Sequence, residues 1–213
     1  SVASRGLGDV YKRQLLRRMA ELDKKKLPPI IADGESGFGG IYNVYELTNQ
    51  FIDSGVSGIH FEDQLASEKK CGHVGGKVVI PTHEYIKKLN SARLSSDVSG
   101  VPIIIIARTD AMNAKLMTSD FDDRDSKYLS KNRTSDGYFL IENNHEMAIT
   151  KSLNYADYAD VVWCETNTPD LGFAKEFADE IRKSHPNKIL AYNCSPSFNL
   201  SLIHISEPTR RYA

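Results

Sequence analysis

The chain has 213 residues, 40% of them hydrophobic and 26% charged, with a formal net charge of −1 at pH 7. That length suits one domain or part of a larger one, and a charge so near zero gives no reason to expect nucleic acid or an anionic membrane as partner. The longest apolar run, VPIIIIA at 101–107, is too short to span a bilayer, and three widely spaced cysteines argue against a disulfide framework and for a reducing compartment.

The two ends stand apart from the rest. Codons that complement each other in reverse can be written for every pair from Ser1 with Ala213 inward to Gln14 with Leu200, and the relation stops at Leu15 with Asn199. An inverted repeat in the DNA accounts for it, and both peptides resemble translated adapter ends. Residues 1–14 and 200–213 are therefore set aside as non-native extensions. The informative stretch is 15–199, expected to be one partial domain of a longer protein.

Within that stretch the first predicted strand is PPIIADGE (28–35). GFGG (37–40) follows and lacks the Lys-Ser/Thr ending of a phosphate loop, so it reads as a tight turn into a helix over 43–54. GIHFED (58–63) is the second strand. A loop containing SEKKCGHVGGK (67–77) comes next, then a helix with Thr82 as its N-cap. VPIIIIARTD (101–110) is the third strand, followed by a polar stretch, 118–138, and a helix over 144–157. DVVWCET (160–166) is the fourth. Thr168-Pro169-Asp170 then signals a helix start, with a capping hydroxyl, a proline in the first turn and an acid near the N-terminus. KILAYNCS (188–195) is the fifth strand.

Near-continuous apolar strands alternating with helices imply parallel strands joined by right-handed crossovers. Every predicted strand ends on polar groups: Asp33 and Glu35, His60 and Glu62, Arg108 and Asp110, Glu165, then Asn193 and Ser195. A doubly wound open sheet would place a site at one switch point, whereas convergence from five strands favours a (β/α)8 rim. Five strands cannot close a barrel. The predicted fold is therefore α/β, a partial (β/α)8 TIM-type barrel missing N-terminal and C-terminal elements.

Asp33, Glu35, Glu62 and Glu165 would crowd one small volume, and a cation or protons must offset them. Oxygen ligands without a histidine cluster point to Mg²⁺ or Mn²⁺. Arg108 can hold a substrate carboxylate, and Asn193, Ser195 and Ser197 offer neutral donors to a second one. Cys71 lies between Lys69, Lys70 and His73, all of which favour a thiolate, on a glycine-rich loop that can move. The bland alternative is a solvated basic loop with an incidental cysteine. Together these groups read as metal-assisted chemistry on a small polycarboxylate. Cys164 and Cys194 read as core, His60 as core or site, and His83, His145 and His185 as surface.

KKCGH (69–73) resembles the signature of the isocitrate lyases, and ADGESGFGG, HFEDQLASEKKCGHVGGK, IARTDA, WCETNTPDL and LAYNCSPSFN resemble that family's other blocks, in order, across 15–199. The resemblance implies a modified barrel of the phosphoenolpyruvate mutase superfamily, a homotetramer, and Mg²⁺-dependent cleavage of isocitrate to succinate and glyoxylate. It implies Asp33 as metal ligand with Glu35 and Glu62 in support, and Cys71 as the acid that protonates the succinate carbanion. His73 and Arg108 would hold substrate and keep the thiol ionised, with Gly72 on the same loop. Asn193, Ser195 and Ser197 would form the succinate-carboxylate pocket, and Glu165 would be a further active-site acid. The alternatives are 2-methylisocitrate cleavage and, for these residues alone, a catalytically inactive fragment. Family contacts lie before Leu15 and after Asn199, and the short stretch after Thr118 suits a bacterial-type, cytoplasmic enzyme.

Overall fold

Five parallel strands carry the predicted apolar runs: β1 (Ile31–Asp33), β2 (Gly58–Glu62), β4 (Ile104–Thr109), β8 (Val161–Cys164) and β9 (Ile189–Tyr192). The computed structural model describes residues 28–71 and 74–193. The elements described all belong to the unit that begins at Ile31. Both extensions, along with Gly72, His73, Cys194, Ser195 and Ser197, lie outside the described residues.

The sheet order is β1-β2-β4-β8-β9, every pairing parallel. Spatial order follows chain order without a reversal, so the sheet lacks the switch point of a doubly wound fold. β2 is buried along its whole length and β4 from its second residue onward, as expected for strands covered on both faces. Among the described residues the five strands do not close on themselves.

A second sheet was not foreseen. It runs β3-β5-β7-β6 through Lys77–Val79, Ala114–Met117, Phe139–Ile141 and Leu129–Arg133. β3 and β5 are parallel, and the other pairings antiparallel. Its strands are three to five residues long, and β6 reads LSKNR with only its first residue fully buried, so no apolar run announces it. The two sheets are joined where Leu65 N–H donates to Val78 O at 2.8 Å and Ile80 N–H to Asp63 O at 2.9 Å.

The helices are α1 (Ile41–Asp53), α2 (Thr82–Ser99), the single turn α3 (Asp123–Ser126), α4 (Asn144–Tyr155) and α5 (Leu171–Ser184). Two starts differ from expectation. Thr82 is the first helical residue and not the cap. Its N–H and hydroxyl donate to Asp125 at 2.6 and 2.8 Å, and His83 N–H donates to Asp122 at 2.8 Å, so α3 supplies the cap from a distance. Asp170, not Thr168, caps α5, accepting from Gly172 N–H and Phe173 N–H at 2.8 and 3.1 Å; Pro169 stays outside the helix.

Two apolar clusters hold these layers. One packs Val44, Ile59, Phe61, Tyr85, Leu89 and Ile105 between α1, α2 and the parallel sheet. The other packs Met117, Phe139, Met147, Val162, Cys164 and Phe177 between the second sheet, α4, α5 and β8. Each large side chain so buried is worth about 1.5–3 kcal/mol. Cys164 is core, as expected, and burial raises its thiol pKa well above the usual range. No helix among the described residues is long and apolar enough to cross a membrane.

A fully buried lysine of α4 ties that helix to the first of these clusters. Lys151 on α4 donates to Ile80 O at 2.9 Å, Tyr155 Oη at 3.2 Å and Thr82 Oγ1 at 3.3 Å, and lies 3.6 Å from Asp125 and 4.0 Å from Asp63. Removing one member of such a group strands the others in a dry environment. Lys151→Met should cost about 3–5 kcal/mol in urea unfolding. A loss under about 1 kcal/mol would show that Asp63 and Asp125 do not depend on it.

Candidate active site

The turn after β1 shapes one side of the site. Asp33 Oδ1 accepts the Glu35 N–H at 2.8 Å, and Glu35 O accepts the Glu62 N–H at 2.8 Å. Gly34 N–H donates to His60 O at 2.9 Å, so the turn lies directly on β2. A Cβ at Gly34 would sit 2.6 Å from the Phe61 ring and 2.9 Å from His60 O, so glycine is required there. Glu35 and Phe38 have φ of 52° and 53°, a left-handed backbone unfavourable for side chains of that size, and Gly37 has φ 81°. GFGG is thus the tight turn expected, and its strained residues stand beside the strand ends.

Asp33, His60 and Glu62 project together from the ends of β1 and β2, one donor atom from each lying within 4.8 Å of the others. His60 Nε2 is 3.6 Å from Asp33 Oδ1, and His60 Nδ1 is buried without a hydrogen-bond partner. Burial lowers the His60 pKa, with Asp33 opposing and Arg108 reinforcing, which favours a neutral imidazole with a lone pair to offer. The metal set expected from sequence was Asp33, Glu35 and Glu62. The structure brings His60 into that group and turns Glu35 to an ion pair with Lys69, whose ammonium is also 3.8 Å from Glu62. Because β-strand residues point alternately, His60 and Glu62 share one face of β2, a spacing the sequence already displayed.

Arg108 is the buried cation among these acids. Its Nη1 lies 3.3 Å from Glu62, and its Nε 3.3 Å from Asp110 and 3.7 Å from Glu165. The guanidinium carbon stacks 4.8 Å over Trp163, whose ring meets His60 edge-on at 5.0 Å. Burial works against the Arg108 charge, but Asp110, Glu62 and Glu165 outweigh it and raise its pKa. Burial, reinforced by Asp110 and opposed by Arg108 and Lys69, raises the Glu62 carboxyl to about 7. Asp110 also pairs with the buried Lys77 of β3 at 2.5 Å. Asp110 was among the strand-end groups read from the sequence, whereas Trp163 and Lys77 were not singled out. Trp163 lies two residues before Glu165, and that alternation was the one available signal.

Cys71 is exposed, at the start of the loop into β3. The lysines expected to favour its thiolate are engaged elsewhere: Lys69 with Glu35 and Glu62, and Lys70 Nζ with Gly76 O at 2.8 Å. The Lys70 bond ties the base of the loop where Gly76 adopts φ 74°. Glu165 follows β8, its N–H bonded to Thr109 O at 2.9 Å. Asn193 stands beside it, but its amide faces the protein. Oδ1 accepts from Thr166 N–H at 2.9 Å, while Nδ2 donates to Thr166 O at 2.8 Å and Glu165 Oε1 at 3.3 Å. Asp33, Glu62, Arg108 and Glu165 are therefore brought together as expected, and Asn193 holds Glu165 and Thr166 in place.

The sequence model of the isocitrate lyase family matches residues 10–132 and 129–213. The chain belongs to the isocitrate lyase family. It is 56% identical over 173 residues to the isocitrate lyase of Corynebacterium glutamicum, covering 81% of this chain and 40% of that protein. The isocitrate lyase of Escherichia coli K12 is 57% identical over 171 residues, 80% of this chain and 39% of its own. Isocitrate lyase 1 of Mycobacterium tuberculosis is 54% identical over 173 residues, 81% and 40%. This chain thus spans about 40% of the length of the curated relatives it matches. Among solved structures, an oxaloacetate acetylhydrolase with bound oxalate superposes with a TM-score of 0.56 at 25% identity, covering 85% of this chain and 49% of that one. A 2,3-dimethylmalate lyase of the PEP mutase/isocitrate lyase superfamily gives 0.52 at 26%, covering 78% and 47%.

The raised Glu62 carboxyl sets a pH dependence for this family member. The folded state holds that proton more tightly than the unfolded chain, so ionisation between pH 4.5 and about 7 costs the native state stability. Relative to Glu62→Gln, the wild type should lose stability as pH rises through that window. Urea midpoints of both proteins at pH 5 and pH 8 check this; a constant difference would contradict it.

Proposed function

We propose that the whole protein carrying this chain cleaves isocitrate to succinate and glyoxylate with a divalent cation. The observation that supports this reading best is the Asp33–His60–Glu62 group beside Arg108 at parallel strand ends, in a member of the isocitrate lyase family. The unreversed order of five parallel strands supports a partial (β/α)8 barrel for Ile31 onward, its rim carrying the site.

The donor set fits a cation. Two carboxylates and a neutral imidazole with an orphaned buried nitrogen lie close together, and the raised Glu62 pKa reflects charge that a cation would relieve. Asp33, Glu62 and His60 would hold Mg²⁺ or Mn²⁺, with water at the remaining positions; imidazole suits Mn²⁺ better than Mg²⁺. Bound there, the cation polarises substrate oxygens. Glu35 answers to Lys69 and would act on the cation only through that pair or water.

The remaining roles belong to side chains. Arg108 binds a substrate carboxylate by exchanging one of its acid partners, Glu165 at 3.7 Å being the farthest of the three. Cys71, ionised at rest, takes up the proton that the substrate hydroxyl loses and gives it to the succinate carbanion once the carbon–carbon bond has broken, with Gly72 and His73 on the same loop at the substrate. Closure of that loop keeps water from supplying the proton instead. Ser195 and Ser197 bind the succinate carboxylate, as the family resemblance implies, and Asn193 holds Glu165 and Thr166. The substrate is a small polycarboxylate, and the whole protein is a cytoplasmic homotetramer, as the family resemblance implies.

The test is glyoxylate release from isocitrate by the whole protein with Mg²⁺, beside 2-methylisocitrate. Faster turnover of the methylated substrate would overturn the assignment. Cys71→Ser should lower turnover at least about 100-fold, as expected for loss of a positioned acid, while Mn²⁺ binding stays within about twofold. A serine variant that turns over normally would remove the thiol from the chemistry.

A further inference from the structure

We infer that Gln64 is a positioning residue that couples the Glu62 carboxylate to the loop bearing Cys71. Gln64 is completely buried just beyond the end of β2. Its amide makes three hydrogen bonds: Nε2 donates to Glu62 Oε2 at 2.8 Å and to Lys70 O at 3.0 Å, and Oε1 accepts the Lys70 N–H at 3.0 Å. The residue so gripped, Lys70, is the one immediately before Cys71. Gln64 itself is fixed from behind by its bridge to Val79 of β3.

The orientation of this amide is dictated by its partners. Paired both ways with the Lys70 backbone, it can present only an N–H to Glu62. The flipped amide would set its oxygen against Glu62 Oε2 and Lys70 O, and its NH₂ against the Lys70 N–H. Gln64 therefore acts as a rigid bar, with a carboxylate of the strand-end site at one end and the entry of the Cys71 loop at the other. A displacement or new partner at Glu62 alters the bond that holds Gln64, and through it the backbone beside the thiol. The coupling is defined without a metal; only its response to a cation rests on the site proposed above.

Amide hydrogen exchange at Lys70, read by fragmentation mass spectrometry on the 213-residue chain, tests this. Gln64→Met keeps the shape and removes all three bonds, and should speed Lys70 exchange at least about fivefold, the size of a typical coupling between neighbouring residues. Glu62→Met, which also loses the 3.8 Å approach of Lys69, should speed it as well, and the double variant should exceed neither single change. Lys70 exchange at the wild-type rate in Glu62→Met, or an additive double variant, overturns the coupling. The buried Cys164 thiol must stay protected from alkylation in each variant. Should Gln64→Met expose it, Gln64→Glu, which keeps the size and loses both donated bonds, takes its place. Mn²⁺ should slow Lys70 exchange in the wild type and leave Gln64→Met unchanged. If the spin-resonance signal of free Mn²⁺ shows no binding to the wild type, the proposed cation site fails, while the Glu62–Gln64 result still decides the coupling. If Mn²⁺ binds and Lys70 exchange in the wild type is unmoved, the coupling is overturned.

Discussion

The site depends on one buried guanidinium. Arg108 stands among Glu62, Asp110 and Glu165, three acids almost without access to water. Carboxylates placed so closely would repel one another or protonate, and Arg108 sets how much of that happens. Its fork can face several acids at once, and its flat face rests on Trp163, which a lysine could not reproduce. Its own backbone is held too. Arg108 N–H donates to Tyr85 Oη at 3.1 Å, and Tyr85 donates to Phe61 O at 2.5 Å, so a residue of α2 spans β2 and β4 beneath the guanidinium. The charge at the strand ends is thereby built into the packing of the sheet.

The parallel topology explains why these groups meet at all. Adjacent strands end at matched registers: Asp33 opposite His60, Glu62 opposite Arg108, and Arg108 opposite Trp163. Register in a parallel sheet is fixed by the buried faces, since a slip of one residue would turn Ile59, Phe61, Ile105 and Ala107 out of the core. Hydrophobic burial thus places the chemistry without any of the polar groups having to attract one another. That is consistent with the raised Glu62 pKa and the unfavourable φ of Glu35, which the surrounding fold has to sustain.

Much of this was legible in the sequence. VPIIIIARTD and GIHFED could be little other than buried strands, and their polar ends announced Arg108 and Glu62. The second sheet was not legible, because β3 and β7 are only three residues long, β6 is largely polar, and all three depend on pairing with other segments. Lys69 and Lys70 flank Cys71 in the chain, yet their long side chains reach Glu35, Glu62 and Gly76 O. Asn193 looked like a free donor at a strand end, but both ends of its amide serve Thr166 and Glu165. A side chain's spacing along the sequence gives its face and not its partner.

The acids also divide by how completely the protein itself satisfies them. Asp63 accepts from Thr109 Oγ1, the Asp110 N–H and Tyr155 Oη at 2.7, 2.8 and 3.0 Å, with Lys151 behind. Asp125 is met by Thr82 and Lys151, and Asp110 Oδ1 by Lys77 and Arg108, while Asp110 Oδ2 lies 3.3 Å from Arg108 Nε without a hydrogen bond. All three are fully buried. Asp33 differs: its side chain is 52% exposed, and among the described residues its partners are the Glu35 N–H and a His60 nitrogen 3.6 Å away. Glu62 is buried, yet its pKa stays raised to about 7 despite Arg108 and Lys69, so its charge is still under-compensated. Acids left short of positive charge beside better-satisfied neighbours are the positions the proposed cation and substrate would take.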